Sequence, residues 1–173
     1  MSTPQKSPFE SNILRILRNE IQYQSEYAPP QQAAKKFDLY MVEDRPGEQW
    51  ITLRGTSALD EDIKIEATMF HGLLVDISKG EGCDSLEFVC SAWPDCLEIQ
   101  KVYFFKRDGL LAQPYMGPNL RNLDKKIQNA LHEFLKARGV KVDLCVFLHE
   151  FMMKKGRTEL IWWLGKIKSF VEK

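Results

Sequence analysis

Tyr115-Met116-Gly117-Pro118-Asn119-Leu120 opens the stretch that decides the reading of this chain. It continues through Leu123-Asp124, Gln128, Ala130-Leu131, Phe134-Leu135, Arg138-Gly139-Val140, Leu144, Phe147-Leu148, Glu159, Trp163-Leu164 and Ile167 to Phe170-Val171. A turn, a helix, a glycine stop and two further apolar helical segments follow one another here without a catalytic signature. Asn122 is placed to cap a helix whose buried stripe is Leu123, Ile127, Ala130-Leu131 and Phe134-Leu135, and Arg138-Gly139 supply a charged last turn and a left-handed stop. Asp143 then caps Leu144, Phe147-Leu148 and Phe151. After Lys154-Lys155-Gly156 a final helix carries Leu160, Ile161, Trp163, Leu164, Ile167, Phe170 and Val171. So many apolar residues in so short a helix cover more than one face, and a partner chain is the expected cover.

Toward the N-terminus, Ser7 and Pro8 mark the start of a helix with Ile13, Leu14, Leu17 and Ile21 at helical spacing. It is expected to run to Tyr23 or Tyr27 and to end at Ala28-Pro29-Pro30. Ile16, Tyr23 and Tyr27 widen its apolar surface beyond one stripe. From Phe37 the period turns from 3.6 toward 2. Residues 37–42 and 50–54 read as two antiparallel strands around Arg45-Pro46-Gly47-Glu48, and Ile63, Ile65 and Ala67 as a third with one wet face. Lys79-Gly80-Glu81-Gly82 reads as a loop that fits no phosphate fingerprint. Leu86–Trp93 and Cys96–Phe105 are two more strands around Pro94-Asp95, with Phe88, Val89, Leu97, Ile99, Val102, Phe104 and Phe105 as core candidates. Arg107-Asp108-Gly109 makes the next turn, and Pro114 to Pro118 bars regular structure before the following helix. The topology reads as an antiparallel meander.

At 173 residues and 44% hydrophobic the chain is sized for one domain, 1–173, with residues 1–8 expected as a disordered tail. No run approaches the roughly 20 apolar residues of a membrane span. Met1 to Pro8 show neither a signal-peptide core nor an Arg-rich presequence, so the chain reads as trimmed or as not imported by that route. A net charge of zero conceals a division: residues 1–118 hold 12 Lys+Arg against 18 Asp+Glu, and residues 119–173 hold 12 against 6. The functional reading of this polarity is an acidic face for basic partners and a basic face for acidic ones. Asp60, Glu61 and Asp62 are the acidic candidates for partner binding, and Lys154, Lys155 and Arg157 the basic ones.

Other chemistries are poorly served. Cys83, Cys90 and Cys96 lack zinc-knuckle spacing, and with Cys145 they read as reduced structural thiols. Trp93-Pro94-Asp95 resembles a phosphatase acid loop, yet no cysteine is followed by Arg six residues on, so a hairpin turn is the expectation. His71, His132 and His149 are scattered, and there is no nucleophile elbow, Walker loop or dinucleotide fingerprint. No catalytic residue, cofactor, metal or small-molecule substrate is expected. The five asparagines lie in no glycosylation sequon.

The quoted C-terminal pattern, with Leu14-x-x-Leu17-Arg18-Asn19-Glu20-Ile21 and Val42-Glu43-Asp44-Arg45-Pro46-Gly47-Glu48, resembles the mitochondrial acidic matrix protein family, also called the mitochondrial glycoprotein family, in its plant-type members. The resemblance implies an α+β fold: a twisted antiparallel sheet of about seven strands, flanked by one N-terminal and two or three C-terminal helices, in a doughnut-shaped homotrimer of the mitochondrial matrix. It implies a non-enzymatic, chaperone-like protein that binds many ligands and supports mitochondrial translation, ribosome biogenesis or respiratory complex assembly. Expected partners are itself and other proteins, including ribosomal or RNA–protein assemblies. The candidate trimer-interface residues are Ile13, Leu17, Ile21, Leu160, Trp163, Leu164, Ile167 and Val171. Where the family is strongly acidic, this chain is neutral. The alternative reading is a nucleic-acid-binding module that uses the basic C-terminal helices.

Overall fold

A computed structural model describes residues 5–27, 32–80, 82, 84–105 and 115–173. Met1 to Pro4, Ala28-Pro29-Pro30, Glu81, Cys83, Arg107-Asp108-Gly109 and Pro114 therefore lie outside the described residues. The chain divides into two compact units, Ala34–Phe151 and Met1–Ala33 with Met152–Lys173.

The first unit is built on one antiparallel sheet in sequence order: β1 (Lys36–Phe37), β2 (Tyr40–Asp44), β3 (Trp50–Thr56), β4 (Asp62–Thr68), β5 (Gly72–Ser78), β6 (Ser85–Ala92) and β7 (Leu97–Phe105). Alternation of apolar and polar residues puts one side of each strand in the core. Leu53, Ile65, Val75 and Phe88 stand directly opposite one another on β3 to β6 and are fully buried. Burying each such side chain is worth about 1.5–3 kcal/mol, so a one-residue slip that moved the row to the wet face would be strongly opposed. Gly55 sits where β3 passes close to Leu39; an added Cβ would lie 2.8 Å from the Leu39 carbonyl oxygen.

Two strands depart from the sequence reading. The span 37–42 is broken at Asp38, whose φ of +53° turns the chain between β1 and β2. Strand β5 was not foreseen from its residues, although Leu73, Val75 and Ile77 alternate as buried positions along it. Phe104 and Phe105, expected in the core, are exposed, because β7 is an edge strand with no strand beyond it among the described residues. Trp93 and Cys96 exchange backbone hydrogen bonds of 2.8 and 3.4 Å, making the expected hairpin turn at Pro94-Asp95.

Helix α2 (Lys125–Lys136) is capped by Asp124, whose side chain accepts from the Lys126 N–H; Asn122 belongs instead to a short 3-10 turn capped by Asn119. Only Leu135 of the expected α2 stripe is fully buried, and Ile127 and Ala130 are exposed. The helix ends as the sequence predicts: Gly139 has φ +79° and the Val140 N–H returns to the Leu135 carbonyl. Phe134 stacks on Phe88, and Phe147 on Phe37.

Helix α3 (Val142–Glu172) is one continuous helix of 31 residues, not two segments divided at Gly156. A mid-helix glycine costs only about 1 kcal/mol relative to alanine, too little to break a helix carrying apolar positions on both sides. In the second unit, α1 (Pro8–Tyr27) begins at a reciprocal cap: the Glu10 N–H donates to Ser7 Oγ and the Ser7 N–H to Glu10 Oε2. Lys6 Nζ donates to the carbonyls of Val171 and Lys173. Of the residues expected as a tail, Lys6 and Ser7 are thus held in place and Pro8 is helical.

Candidate functional site

In the first unit the face of the sheet opposite the core carries the charge. Cross-strand register sets Arg54 opposite Lys64, Lys64 opposite Asp76, and Asp76 opposite Glu87, so the four form a row over β3 to β6. The row lies in an open depression of about 1020 Å³ whose rim includes Met41, Asp62 and Phe105. Lys64 pairs with Glu66 at 2.6 Å, and Arg54 with Glu43 at 3.1 Å. A side-chain hydrogen bond to Asp76, helped by burial and by the charges of Asp76 and Glu66, pushes the Glu87 carboxyl up to about 7.

The acidic run at the β3–β4 turn does not act as one patch. Asp60 is exposed with φ +57°, and Asp62 is exposed at the edge of the depression. Glu61, expected beside them as a partner-binding residue, instead turns inward and is buried. Its two carboxylate oxygens accept from Arg138 Nε at 2.8 Å and Arg138 Nη2 at 3.1 Å, and Ser57 Oγ donates to it at 2.9 Å. The Arg138 hydrogen bond, against an opposing cost of burial, holds the Glu61 carboxyl below the usual range. Arg138 also donates to the Phe134 carbonyl and lies over the Phe134 ring, 3.5 Å from its centroid. The Tyr40 hydroxyl donates to the Arg138 carbonyl, and burial, reinforced by the Asp38 charge, raises the pKa of the phenol. This cluster ties the β2 and β3–β4 segments to the end of α2. Sequence spacing could not pair Glu61 with Arg138, 77 residues apart.

The histidines and cysteines form no described catalytic arrangement. His71 stacks on Trp93 at 4.5 Å, and His149 Nε2 donates to the Ala92 carbonyl at 3.0 Å. Cys90 and Cys145 are buried and Cys96 is exposed, all three as free thiols. Burial, with the neighbouring thiol as a smaller cause, pushes Cys90 up to about 12 and Cys145 up to about 11, which suppresses the reactive thiolate.

In the second unit the candidate interface residues are unequally covered. Leu164 is buried; Leu17, Ile21, Ile167 and Val171 are half-buried; Ile13, Leu160 and Trp163 are exposed. The structure brings Ile13 and Val171 together with Phe9 and Phe170 around a cleft of about 400 Å³, and Arg18 reaches Glu172 at 3.4 Å. Phe9 and Phe170 keep 87% and 78% of their surface exposed, an apolar excess that the sequence pattern had anticipated for both helices. Among the basic candidates, Lys154 and Arg157 are exposed, whereas Lys155 is buried and pairs with Glu159 at 3.2 Å. No helix is long and apolar enough to cross a membrane among the described residues.

Comparison with known proteins agrees with this architecture. An uncharacterised mitochondrial protein of Arabidopsis thaliana is 30% identical over 158 residues, covering 77% of this chain and 62% of that protein. The mitochondrial acidic protein mam33 of Schizosaccharomyces pombe is 28% identical over 170 residues, 92% of this chain and 60% of its own length. The chain thus spans about three fifths of the length of these relatives. Two solved structures share the fold: a Leishmania major protein described as a sequence homologue of human p32, and the Trypanosoma brucei p22 protein. Their TM-scores are 0.81 and 0.80 and their identities 17% and 21%, with 94% and 95% of this chain covered and 98% and 100% of theirs. The MAM33 mitochondrial glycoprotein profile matches residues 66–171, from β4 to the end of α3, and the chain belongs to that family.

Proposed function

We propose that this chain is a non-catalytic binding scaffold of the mitochondrial matrix that works as a homotrimer and serves mitochondrial translation, ribosome biogenesis or respiratory complex assembly. Family membership and the mitochondrial names of both curated relatives support the compartment. The observation that carries the scaffold reading is the uncovered apolar surface of α1 and the C-terminal part of α3, where Phe9, Ile13, Trp163 and Phe170 lie exposed. Copies of one chain burying such faces against each other would repeat each charged surface around the assembly and raise avidity without strong single contacts. Asp60 and Asp62 offer the acidic contacts and Lys154 and Arg157 the basic ones.

The test is affinity capture from mitochondrial and cytosolic fractions with mass spectrometry, beside variants with Asp60 and Asp62 changed to Lys or Lys154 and Arg157 changed to Glu. Ribosomal or assembly proteins recovered from the mitochondrial fraction, and lost in one of the charge variants, support the reading. A partner set that neither variant alters overturns the electrostatic mechanism. The exposed Lys125 and Lys126 at the start of α2, with Lys154 and Arg157, favour RNA as a second reading. That reading requires polynucleotide affinity that falls steeply with salt.

A further inference from the structure

The charged row on the open face of the sheet contains one contact that ordinary ion pairing does not explain. Asp76 on β5 and Glu87 on β6 are direct cross-strand partners, and both line the depression. Two ionised carboxylates directly opposite each other on adjacent strands repel and present only acceptors, so a proton on one of them removes the repulsion and lets it donate to the other. We propose that Asp76 and Glu87 hold one proton in common across β5 and β6, forming a proton-sensitive latch that switches the charge of the sheet depression.

The surroundings keep the latch from being neutralised by a nearby cation. From β4, Lys64 stands opposite Asp76, but its ammonium is engaged by Glu66 at 2.6 Å, and Asp62 adds a further negative charge. From β3, Arg54 is engaged by Glu43 at 3.1 Å. From β7, Tyr103 is the direct partner of Glu87, and Lys101 pairs two residues along with Val89. Lys64 favours ionisation of Glu87, while the Asp76 bond, partial burial and the charges of Asp76 and Glu66 oppose it, and together they bring the Glu87 carboxyl up to about 7.

The sign follows from that direction. The folded pKa lies above the ordinary value of 4.5, so the latch's contribution to stability is complete below 4.5 and is lost as the pH rises through about 7. Above that point two like charges face each other across adjacent strands, which is unfavourable, and the depression gains one negative charge that attracts cationic groups.

Carboxyl-resolved carbon NMR of the full chain reads the latch directly. Glu87 is expected to titrate near 7, and in Asp76→Asn its midpoint should fall clearly below that, because the opposing charge is gone and an amide donates to the ionised carboxylate. A Glu87 midpoint at its ordinary value in the unaltered chain overturns the proposal, and so does a raised midpoint that Asp76→Asn leaves in place, since burial alone would then account for it. Thermal melting provides a second reading. Between about pH 5 and about pH 8 the unaltered chain should lose more melting temperature than Glu87→Gln, which keeps a neutral donor at every pH. Equal losses in the two proteins would count against the latch.

Discussion

Replacing Arg138 with Met would leave the Glu61 carboxylate, 2% exposed, without the guanidinium that holds both of its oxygens at 2.8 and 3.1 Å. Removing one partner of a buried ion pair costs about 3–5 kcal/mol, because the remaining charge stays desolvated. The same substitution removes the bond to the Phe134 carbonyl, worth about 1 kcal/mol. It also removes the contact of the guanidinium with the Phe134 ring. Ser57 still donates to Glu61 and offsets part of the loss, so a net destabilisation of about 4 kcal/mol is expected. Against a typical total of about 5–15 kcal/mol this is large enough to measure by urea denaturation followed by circular dichroism. Adding Glu61→Gln to Arg138→Met should recover part of it, since no buried charge then remains. A loss below about 1 kcal/mol, or two substitutions whose effects simply add, would refute the reasoning. The pH dependence gives an independent check. Arg138 lowers the Glu61 pKa below its ordinary 4.5, so the pair stabilises the fold above 4.5 and that contribution is lost as the pH falls through the lower folded value. Arg138→Met should therefore show a flatter acid limb in its stability profile.

Gly139→Ala should cost about 1–2 kcal/mol in the same assay, because φ is +79° there and the new Cβ would meet Asp38 Oδ2 at 2.7 Å. Gly156→Ala should do the opposite and raise stability by about 0.5–1 kcal/mol, since α3 runs through the position and nothing lies within 4 Å of the added Cβ; a loss would argue for a helix interruption there. Trp163→Asp is expected to reduce the mass seen by light scattering while the far-ultraviolet spectrum is kept, because Trp163 is exposed; Leu164→Asp, at a buried position, should unfold the chain. A monomer mass for the unaltered protein at micromolar concentration would defeat the trimer reading.

The elements most legible in the sequence were those whose local signals agree. Ser7-Pro8 before a 3.6-residue apolar period marked the start of α1, and Arg138-Gly139 marked the end of α2, because caps and left-handed stops are short-range chemistry. The alternation of Ile63, Ile65 and Ala67 named β4 and its buried face. The same signal is present in Leu73, Val75 and Ile77, but Leu74 between them blurs the alternation, and only strand pairing in the fold makes β5 plain. The Lys154-Lys155-Gly156 run imitated a helix boundary, but the stripe of Leu144, Leu148, Phe151 and Lys155 keeps three- and four-residue spacing straight into that run. The burial of Lys155 is invisible to a rule that counts lysine as surface. Phe104 and Phe105 show the reverse error, since their apolar character says nothing about whether another strand covers them.

By itself the sequence determined most of the helices and strands and their antiparallel order, because periodicity, turn chemistry and caps act over a few residues and repeat along the chain; the family was legible only through the likeness of its motifs. The tertiary structure decided which charges are surface and which are structure. Glu61 and Asp60 are neighbours in sequence, yet one lies in a buried bidentate pair with a residue 77 positions away and the other faces solvent at a turn. Strand register likewise placed Asp76 beside Glu87, a pairing set by the β5–β6 hairpin rather than by either residue's own neighbours. Ionisation and pairing depend on distances of a few ångströms between groups remote in sequence, and only the folded chain sets those distances.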